Sequence, residues 1–285
     1  MKNRLILNLL LATILIALGV ITWLKPGQQN SPISPITALD INAIQHIKIT
    51  RKKAQTIELQ RVKNKWFIIK PVEALALAGK IERLLKISQI VPAVTYPLDN
   101  TSLDKFGLNT PVAQLSFNNE TLNIGNTESV HSRRYVSHET QLFLLDDTFL
   151  HHLTAPVDAY IDTRLLPDSN QITGLQTPQI TLQRQADNTW KNPQTPSVEL
   201  SSDAVQMLLD EWRFARAINV NTIVNQTPGK PVMISFSEGP SLNFKLIEQQ
   251  NNVILISTVN KLAYTFSQAK YKKMTTLPTL GDPDA

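Results

Sequence analysis

Cysteine is absent from this 285-residue chain, and glycine is scarce at 9 residues. Without cysteine the chain has no disulfide framework, no thiolate metal site, no lipid-modified cysteine and no cysteine nucleophile. The sequence also lacks a Walker loop, a dinucleotide-binding fingerprint and a G-x-S-x-G elbow. These absences predict a protein that is not an enzyme and that uses no cofactor.

The chain carries no strong charge of one sign. Hydrophobic residues make up 42% and charged residues 18%, an ordinary composition for a folded protein, and the net charge is +5. The densest basic runs, at 51–53 and 270–273, are short, and neither resembles a nucleic-acid-binding arm, which would need a longer run or several interleaved aromatic side chains. We interpret both runs as solvated surface and expect no nucleic-acid partner.

The first 24 residues contain a long apolar run, from Leu5 to Leu24. At ~1.5 Å per residue its length of about 30 Å matches the hydrocarbon core of a bilayer. Lys2 and Arg4 precede the run and favour a cytoplasmic amino terminus. The alternative is a cleaved signal peptide, but bulky residues at 21–24 stand where a cleavage site needs small ones. The segment predicts a single-pass inner-membrane anchor with the rest of the chain periplasmic or otherwise extracytoplasmic.

Residues 25–40 are rich in proline, glutamine and serine, a composition typical of an extended stalk.

The remainder of the chain contains an internal repeat. Trp66 and Trp190 lie 124 residues apart and follow similar alternating segments, and Leu84 and Leu208, on apolar helical stripes, are also 124 apart. Further pairs follow in the same order: Pro111-Val112 with Pro231-Val232, Ser116-Phe117 with Ser235-Phe236, Leu122-Asn123-Ile124 with Leu242-Asn243-Phe244, Val136-Ser137 with Ile256-Ser257, and Leu142 with Leu262.

These patterns predict an α+β fold: a transmembrane helix, then two tandem repeats of an antiparallel sheet with one packed helix and a short terminal helix. The expected divisions are 1–24 cytoplasmic tip and anchor, 25–40 stalk, 41–160 first repeat, 161–275 second repeat and 276–285 tail. Ser201 or Ser202 is expected to cap the second long helix, and Asp146-Asp147 the helix that follows them. Trp66 and Trp190 are expected to be core residues.

One polar segment is a weak candidate for a binding site: His131, Arg133, Arg134, Tyr135 and His138. It could form a basic lip for an anionic group. The alternative, which we favour, is a hairpin with solvated charges. Metal-ligand spacing is lacking, because His151 and His152 are adjacent and point in different directions on a helix.

Several spaced motifs resemble a known bacterial family: the strand ending at Arg61, Trp66, Ile68, Pro71, Phe106-Gly107-Leu108, Pro111, Leu115-Ser116-Phe117, Leu122-Asn123-Ile124-Gly125, Tyr135-Val136 and the Asp162–Arg164 pair. Over roughly residues 41–275 the chain is similar to the family called domain of unknown function 4340 (DUF4340). The resemblance implies a membrane-anchored extracytoplasmic protein without assigned activity, in some cases an auxiliary part of an ABC-type export system. It implies no catalytic residues.

Three functions remain open. We favour a non-enzymatic component of a cell-envelope or ABC-type transport system that binds a membrane or envelope protein. The alternatives are a module that binds a small molecule or glycan in a groove between the repeats, and a hydrolase with a dispersed site.

Overall fold

The computed structural model describes residues 2–24, 34–98, 100–167, 171–223 and 228–278. Stalk residues 25–33 and tail residues 279–285 lie outside these ranges. The helices are α1 (Lys2–Leu24), α2 (Ala78–Ile87), α3 (Leu150–Thr154), α4 (Ser202–Arg213) and α5 (Gln268–Thr275). The strands of the first repeat are β1 (His46–Arg51), β2 (Ala54–Val62), β3 (Lys65–Lys70), β4 (Ala74–Leu75), β5 (Val94–Pro97), β6 (Ala113–Phe117), β7 (Glu120–Thr127), β8 (Arg133–His138) and β9 (Gln141–Asp146). Those of the second are β10 (Ile172–Gln176), β11 (Thr181–Arg184), β12 (Trp190–Lys191), β13 (Asn219–Thr222), β14 (Lys230–Phe236), β15 (Leu242–Glu248), β16 (Asn252–Ser257) and β17 (Leu262–Ser267).

The apolar amino-terminal segment forms one helix, α1, of 23 residues. Large apolar side chains along it are exposed, among them Leu9 at 68% and Leu15 at 70%. Within the described ranges, no helix meets the combined length and apolarity required to cross a membrane. The helical part of the prediction is therefore confirmed, and the membrane-spanning part gains no support from this finding.

The two halves of the chain form sheets with the same topology. The first sheet has the order β4-β3-β2-β1-β6-β7-β8-β9-β5, and the second has β12-β11-β10-β14-β15-β16-β17-β13. Apart from β4 the two orders coincide strand by strand, and every neighbouring pair is antiparallel. The α+β class and the two antiparallel sheet repeats are thereby confirmed.

The motifs that revealed the repeat occupy matching places. Trp66 lies opposite Arg61 in the first hairpin, and Trp190 lies opposite Arg184 in the second. The apolar stripes of α2 and α4 are buried, with Leu84 and Leu208 both fully inaccessible. Trp66 is a core residue as expected, whereas Trp190 is half-buried and packs against the core from its margin.

The last two motif pairs of the sequence comparison are wrong by one residue. Val136 lies opposite Ile124, but the residue opposite Phe244 is Ser257 and not Ile256. Because successive strand residues face opposite sides of a sheet, this slip exchanges the two faces. The same slip affects the adjacent strand, where Leu262 corresponds to Phe143 and not to Leu142.

The segment between α3 and β10, which we call the linking segment, is hydrogen-bonded to both repeats. On one side, Leu77 donates to the carbonyl of Tyr160 at 2.7 Å and Asp162 to that of Leu75 at 2.8 Å. On the other, Ala217 donates to the carbonyl of Thr163 at 2.8 Å. The core cluster of buried apolar residues includes members from both repeats. The linking segment is thus a structural element that joins the two sheets through backbone pairing.

Candidate functional site

The five residues of the proposed basic lip lie on or just before β8, and the four basic ones each face an acidic partner. Arg133 Nε lies 3.2 Å from Asp146, and Arg134 Nη2 lies 2.6 Å from Asp147. His131 and His138 lie 3.5 Å and 3.3 Å from Glu128 and Glu120 respectively. Tyr135 packs on Phe106 with ring centroids 4.7 Å apart. The positive charge of this segment is therefore matched locally, which favours a hairpin over an anion-binding lip, but Arg134 and His138 are largely buried and are not solvated as expected.

Arg134 is a structural residue. It is only 7% exposed, and its guanidinium donates to the carbonyl of Gly125 at 2.6 Å as well as to Asp147. The expectation that Asp146 and Asp147 cap the following helix is wrong. Phe149 occupies the position before α3 and makes no side-chain capping bond. Asp147 instead forms an ion pair with Arg134, because an unpaired buried guanidinium costs more free energy than an uncapped helix of one turn.

A second charged group lies at the junction of the repeats. The carboxylate of Asp162, which is 5% exposed, accepts hydrogen bonds from the backbone N–H and the side chain of Arg164 at 2.7–3.0 Å. Arg216 of the second repeat lies 4.0 Å away. The pKa of Tyr264 is raised to about 12 by burial and by the charge of Asp162. Since Asp162 is fully engaged with the linking segment, we assign it a role in joining the repeats.

Apolar side chains of the junction are buried: Tyr160, Ile161, Leu165 and Leu166 are each at most 5% exposed. Among the open depressions formed by described residues, three have volumes of about 310–320 Å³, and each of these is lined by residues of one repeat only. The small-molecule groove between the repeats thus gains no support and stays a prediction.

The depression between α4 and α5 is the best candidate for a binding surface. It has a volume of about 320 Å³ and is lined by Met207, Asp210, Glu211, Phe214, Lys270 and Lys273. We call it the α4–α5 groove. The two helices are joined by a hydrogen bond in which the buried indole of Trp212 donates to the carbonyl of Met274 at 2.5 Å. An ion pair between Lys270 and Glu211 also bridges the two helices.

Two apolar side chains of this groove face solvent. Phe214, at the end of α4, is 70% exposed, and Met207, seven positions earlier on the same face, is 42% exposed. Nearby charged groups include Asp210, paired with Arg213, and Lys273. An exposed aromatic and a methionine with a charged rim have the composition of a protein-binding surface.

The sequence interpretation missed this groove. Met207 and Phe214 lie outside the buried stripe of α4, and their seven-residue spacing is a helical-face signal that could have been read as a second apolar stripe. Their partners on α5 lie about 60 residues later, so only the fold reveals the groove.

No group of three or more histidine, aspartate or glutamate side chains in the described part of the chain is placed to hold a metal ion. The expectation that His151 and His152 point in different directions is wrong, because their rings are in tilted contact, with centroids 3.8 Å apart and an angle of 51°.

Comparison with known proteins gives one match. The family model "Domain of unknown function (DUF4340)" matches residues 66–232, a range that begins at Trp66 on β3 and ends in β14. No curated protein and no solved structure shows significant similarity to the chain. Because the matched range covers more than half of the chain and includes α2, α4 and the junction, the chain belongs to the DUF4340 family.

Proposed function

We propose that this chain is a non-enzymatic, membrane-tethered binding protein of the bacterial cell envelope. In this role it docks a membrane or envelope protein partner, as an auxiliary component of a cell-envelope or ABC-type transport system. The observation that carries the proposal is the α4–α5 groove with the exposed Phe214 and Met207.

Interface chemistry supports a protein partner for this groove. Aromatic and methionine side chains are enriched at protein interfaces, and a few such anchors supply most of the binding energy. The rim combines Lys273 with the Lys270–Glu211 pair, so a partner with an acidic group beside an apolar anchor fits best. A volume of about 320 Å³ accommodates one or two large side chains and is open to solvent.

The tether is proposed from the sequence of the Leu5–Leu24 run and from the exposed apolar side chains of α1. The finding on membrane-crossing helices lends it no support. Lys2 and Arg4 before the run favour a cytoplasmic amino terminus, which would place both sheets on the outer side.

Photo-crosslinking in intact cells tests the partner. p-Benzoylphenylalanine in place of Phe214 should crosslink to one defined membrane or envelope protein. The matched control replaces Val259, an apolar residue on a β-turn that is 78% exposed, and should not give this adduct. Phe214→Ser combined with Met207→Ser should abolish co-purification of the same partner. Identical adducts from both positions, or adducts only with other copies of the chain, would contradict the proposal.

Topology is testable with introduced thiols, because the natural sequence contains none. Lys52→Cys, on the exposed turn between β1 and β2, should react with a membrane-impermeant maleimide in spheroplasts. Asn3→Cys should react only after the membrane is lysed. Release of the protein by alkaline carbonate, or equal labelling of both variants before lysis, would rule out the tether.

A further inference from the structure

We propose that the groove between α2 and α3 binds a phosphate group, carried by a soluble phosphate compound or by a lipid headgroup. Lys80 and Arg83 lie three positions apart on α2, and His151 and His152 lie on α3, which packs against α2. We name these four residues the cationic groove. This site lies in the other repeat from the α4–α5 groove and does not depend on the proposed partner.

The four groups are close enough to interact through their charges. The pKa of His152 is lowered to about 4, first by burial and then by the positive charges of His151, Lys80 and Arg83. The pKa of Lys80 is lowered by burial and by Arg83. The charged groups that lower the pKa of His152 are all basic, so positive charge is concentrated between α2 and α3.

Among the described residues, no acidic side chain lies within ion-pair distance of Lys80 or Arg83, although Arg83 acts through its charge on the neighbouring carboxylate of Glu82, which pairs with Lys86. Other bases are paired: Lys86, on the same helix, lies 2.8 Å from Glu82, and Arg133 and Arg134 have their aspartates. Neither Lys80 nor Arg83 forms an ion pair within the described ranges. Clustered like charges cost free energy, and an anion bound between them would remove that cost.

The groove is held in place by buried groups. The ammonium of Lys80 lies 5.2 Å from the ring centroid of Tyr160, and the hydroxyl of Tyr160 donates to the backbone carbonyl of His152. Arg51 donates to the carbonyls of Thr154 and Ala155 at the end of α3. Nδ1 of His152 is buried without a hydrogen-bond partner. The same tyrosine thus positions both sides of the groove.

The fold itself does not require these cations. By the correspondence of Leu84 with Leu208, the positions of Lys80 and Arg83 are taken in the second repeat by Ala204 and Met207. In the second repeat, Lys270 and Glu211 form an ion pair between α5 and α4, so the positive charge of the lysine is neutralised. The two repeats keep the same helix packing but differ in the chemistry of the groove, so the cationic groove is a property of the first repeat alone.

Phosphate fits this arrangement better than a carboxylate does. A phosphate group carries up to two negative charges, which match one lysine and one arginine, and its oxygens suit the two-pronged donor geometry of a guanidinium. Arg83 is exposed and Lys80 half-buried, so the groove is open on the side of Arg83.

Nuclear magnetic resonance of the histidine rings tests the site on the full chain in phosphatidylcholine nanodiscs. Inorganic phosphate, titrated at constant ionic strength against chloride, should raise the apparent pKa of His152 from about 4 towards its ordinary range. Arg83→Met introduces the residue that occupies the equivalent position, 207, in the second repeat. This variant should bind phosphate about tenfold more weakly. Lys191→Gln, on the edge strand β12 of the second sheet, should leave phosphate binding unchanged. The signal of His152 is assigned with His151→Gln.

A second arm distinguishes the sources of phosphate. If a lipid headgroup is the ligand, nanodiscs that contain phosphatidylglycerol should shift the His152 resonance without added phosphate. If a soluble compound is the ligand, only added inorganic phosphate should do so. The proposal is overturned if neither probe moves the resonance beyond the effect of chloride, or if Arg83→Met binds phosphate as tightly as the natural chain.

Discussion

Gly125 lies on β7 at a place where the backbone of the preceding turn approaches closely. A methyl group on its Cα would overlap the carbonyl oxygen of Phe106 and press on Leu108. Its own carbonyl accepts the hydrogen bond of Arg134. Glycine is therefore required at this position by the packing of the Phe106-Gly107-Leu108 turn on the sheet, and not by a special backbone angle.

Gly125→Ala is expected to lower the free energy of unfolding by about 2 kcal/mol, because either the turn or the strand must shift. Urea denaturation followed by tryptophan fluorescence measures this. Gly79→Ala is the control, since a Cβ there meets no atom within 4 Å and alanine favours the helix. An equal loss in both variants would show that the contact with Phe106 is unimportant.

His152 makes stability depend on pH. Its pKa is about 4 in the folded protein, below its ordinary value of 6.5, because of burial and then the neighbouring positive charges. Between these two values the unfolded chain binds the additional proton, so stability falls as the pH decreases from about 6.5 to about 4. Above that window the contribution is fully present.

Denaturation midpoints measured between pH 4 and pH 7 should therefore decline less steeply in His152→Gln than in the natural chain. His151→Gln removes one of the charges that lower the pKa of His152, so its decline should lie between that of the natural chain and that of His152→Gln. Parallel pH profiles for the natural chain and His152→Gln would contradict the assignment.

At the scale of the element, α2 and α4 differ in how they begin. The residue before α4 is Ser201, whose hydroxyl accepts a hydrogen bond from the N–H of Ala204 at 3.4 Å. Leu77 precedes α2 and offers no side-chain cap, but its N–H donates to the carbonyl of Tyr160 in the linking segment. The first helix is thus fixed by tertiary contact and the second by its own sequence.

Ser201→Ala should lower the free energy of unfolding by about 1 kcal/mol through loss of the cap. The adjacent Ser202→Ala provides a matched control, because Ser202 is the first helical residue, is exposed, and alanine suits that position. Thermal or urea unfolding should separate the two variants. The prediction fails if Ser202→Ala is the more destabilised.

At the scale of the whole molecule, the two repeats share a core and are joined by backbone hydrogen bonds on both sides of the linking segment. Leu84 and Leu208 occupy equivalent, fully buried positions in the two halves. A substitution of either leucine therefore perturbs one repeat, and the two substitutions can be compared. This comparison measures the coupling between the repeats.

Leu84→Ala and Leu208→Ala should each lower stability by about 2–5 kcal/mol. Because the halves are coupled, hydrogen exchange under native conditions should become faster in both sheets for either variant. Ala78→Gly, at the exposed start of α2, is a mild control that should affect only its own helix. Faster exchange confined to the mutated half would show that the repeats unfold independently.

A feature of the fold can be predicted from the sequence when the residues that determine it lie close together in the chain. The repeat and its helices were predictable because the spacing of Trp66, Leu84 and their counterparts directly reflects burial. Residue spacing could not prevent the one-residue error at Ser257, since a strand with apolar residues at successive positions aligns equally well in two registers. The role of Asp147 and the position of Phe214 depend on partners distant in sequence, so they appear only in the folded chain.

The attachment of residues 36–37, near the end of the predicted stalk, to the segment after α2 has a mechanical consequence. Ile36 and Thr37 are buried, and they hydrogen-bond to the carbonyls of Ile90 and Ser88 at 3.0 Å and 3.3 Å, beyond the end of α2. A pulling force on the amino-terminal segment is therefore first resisted by these bonds and by the burial of Ile36.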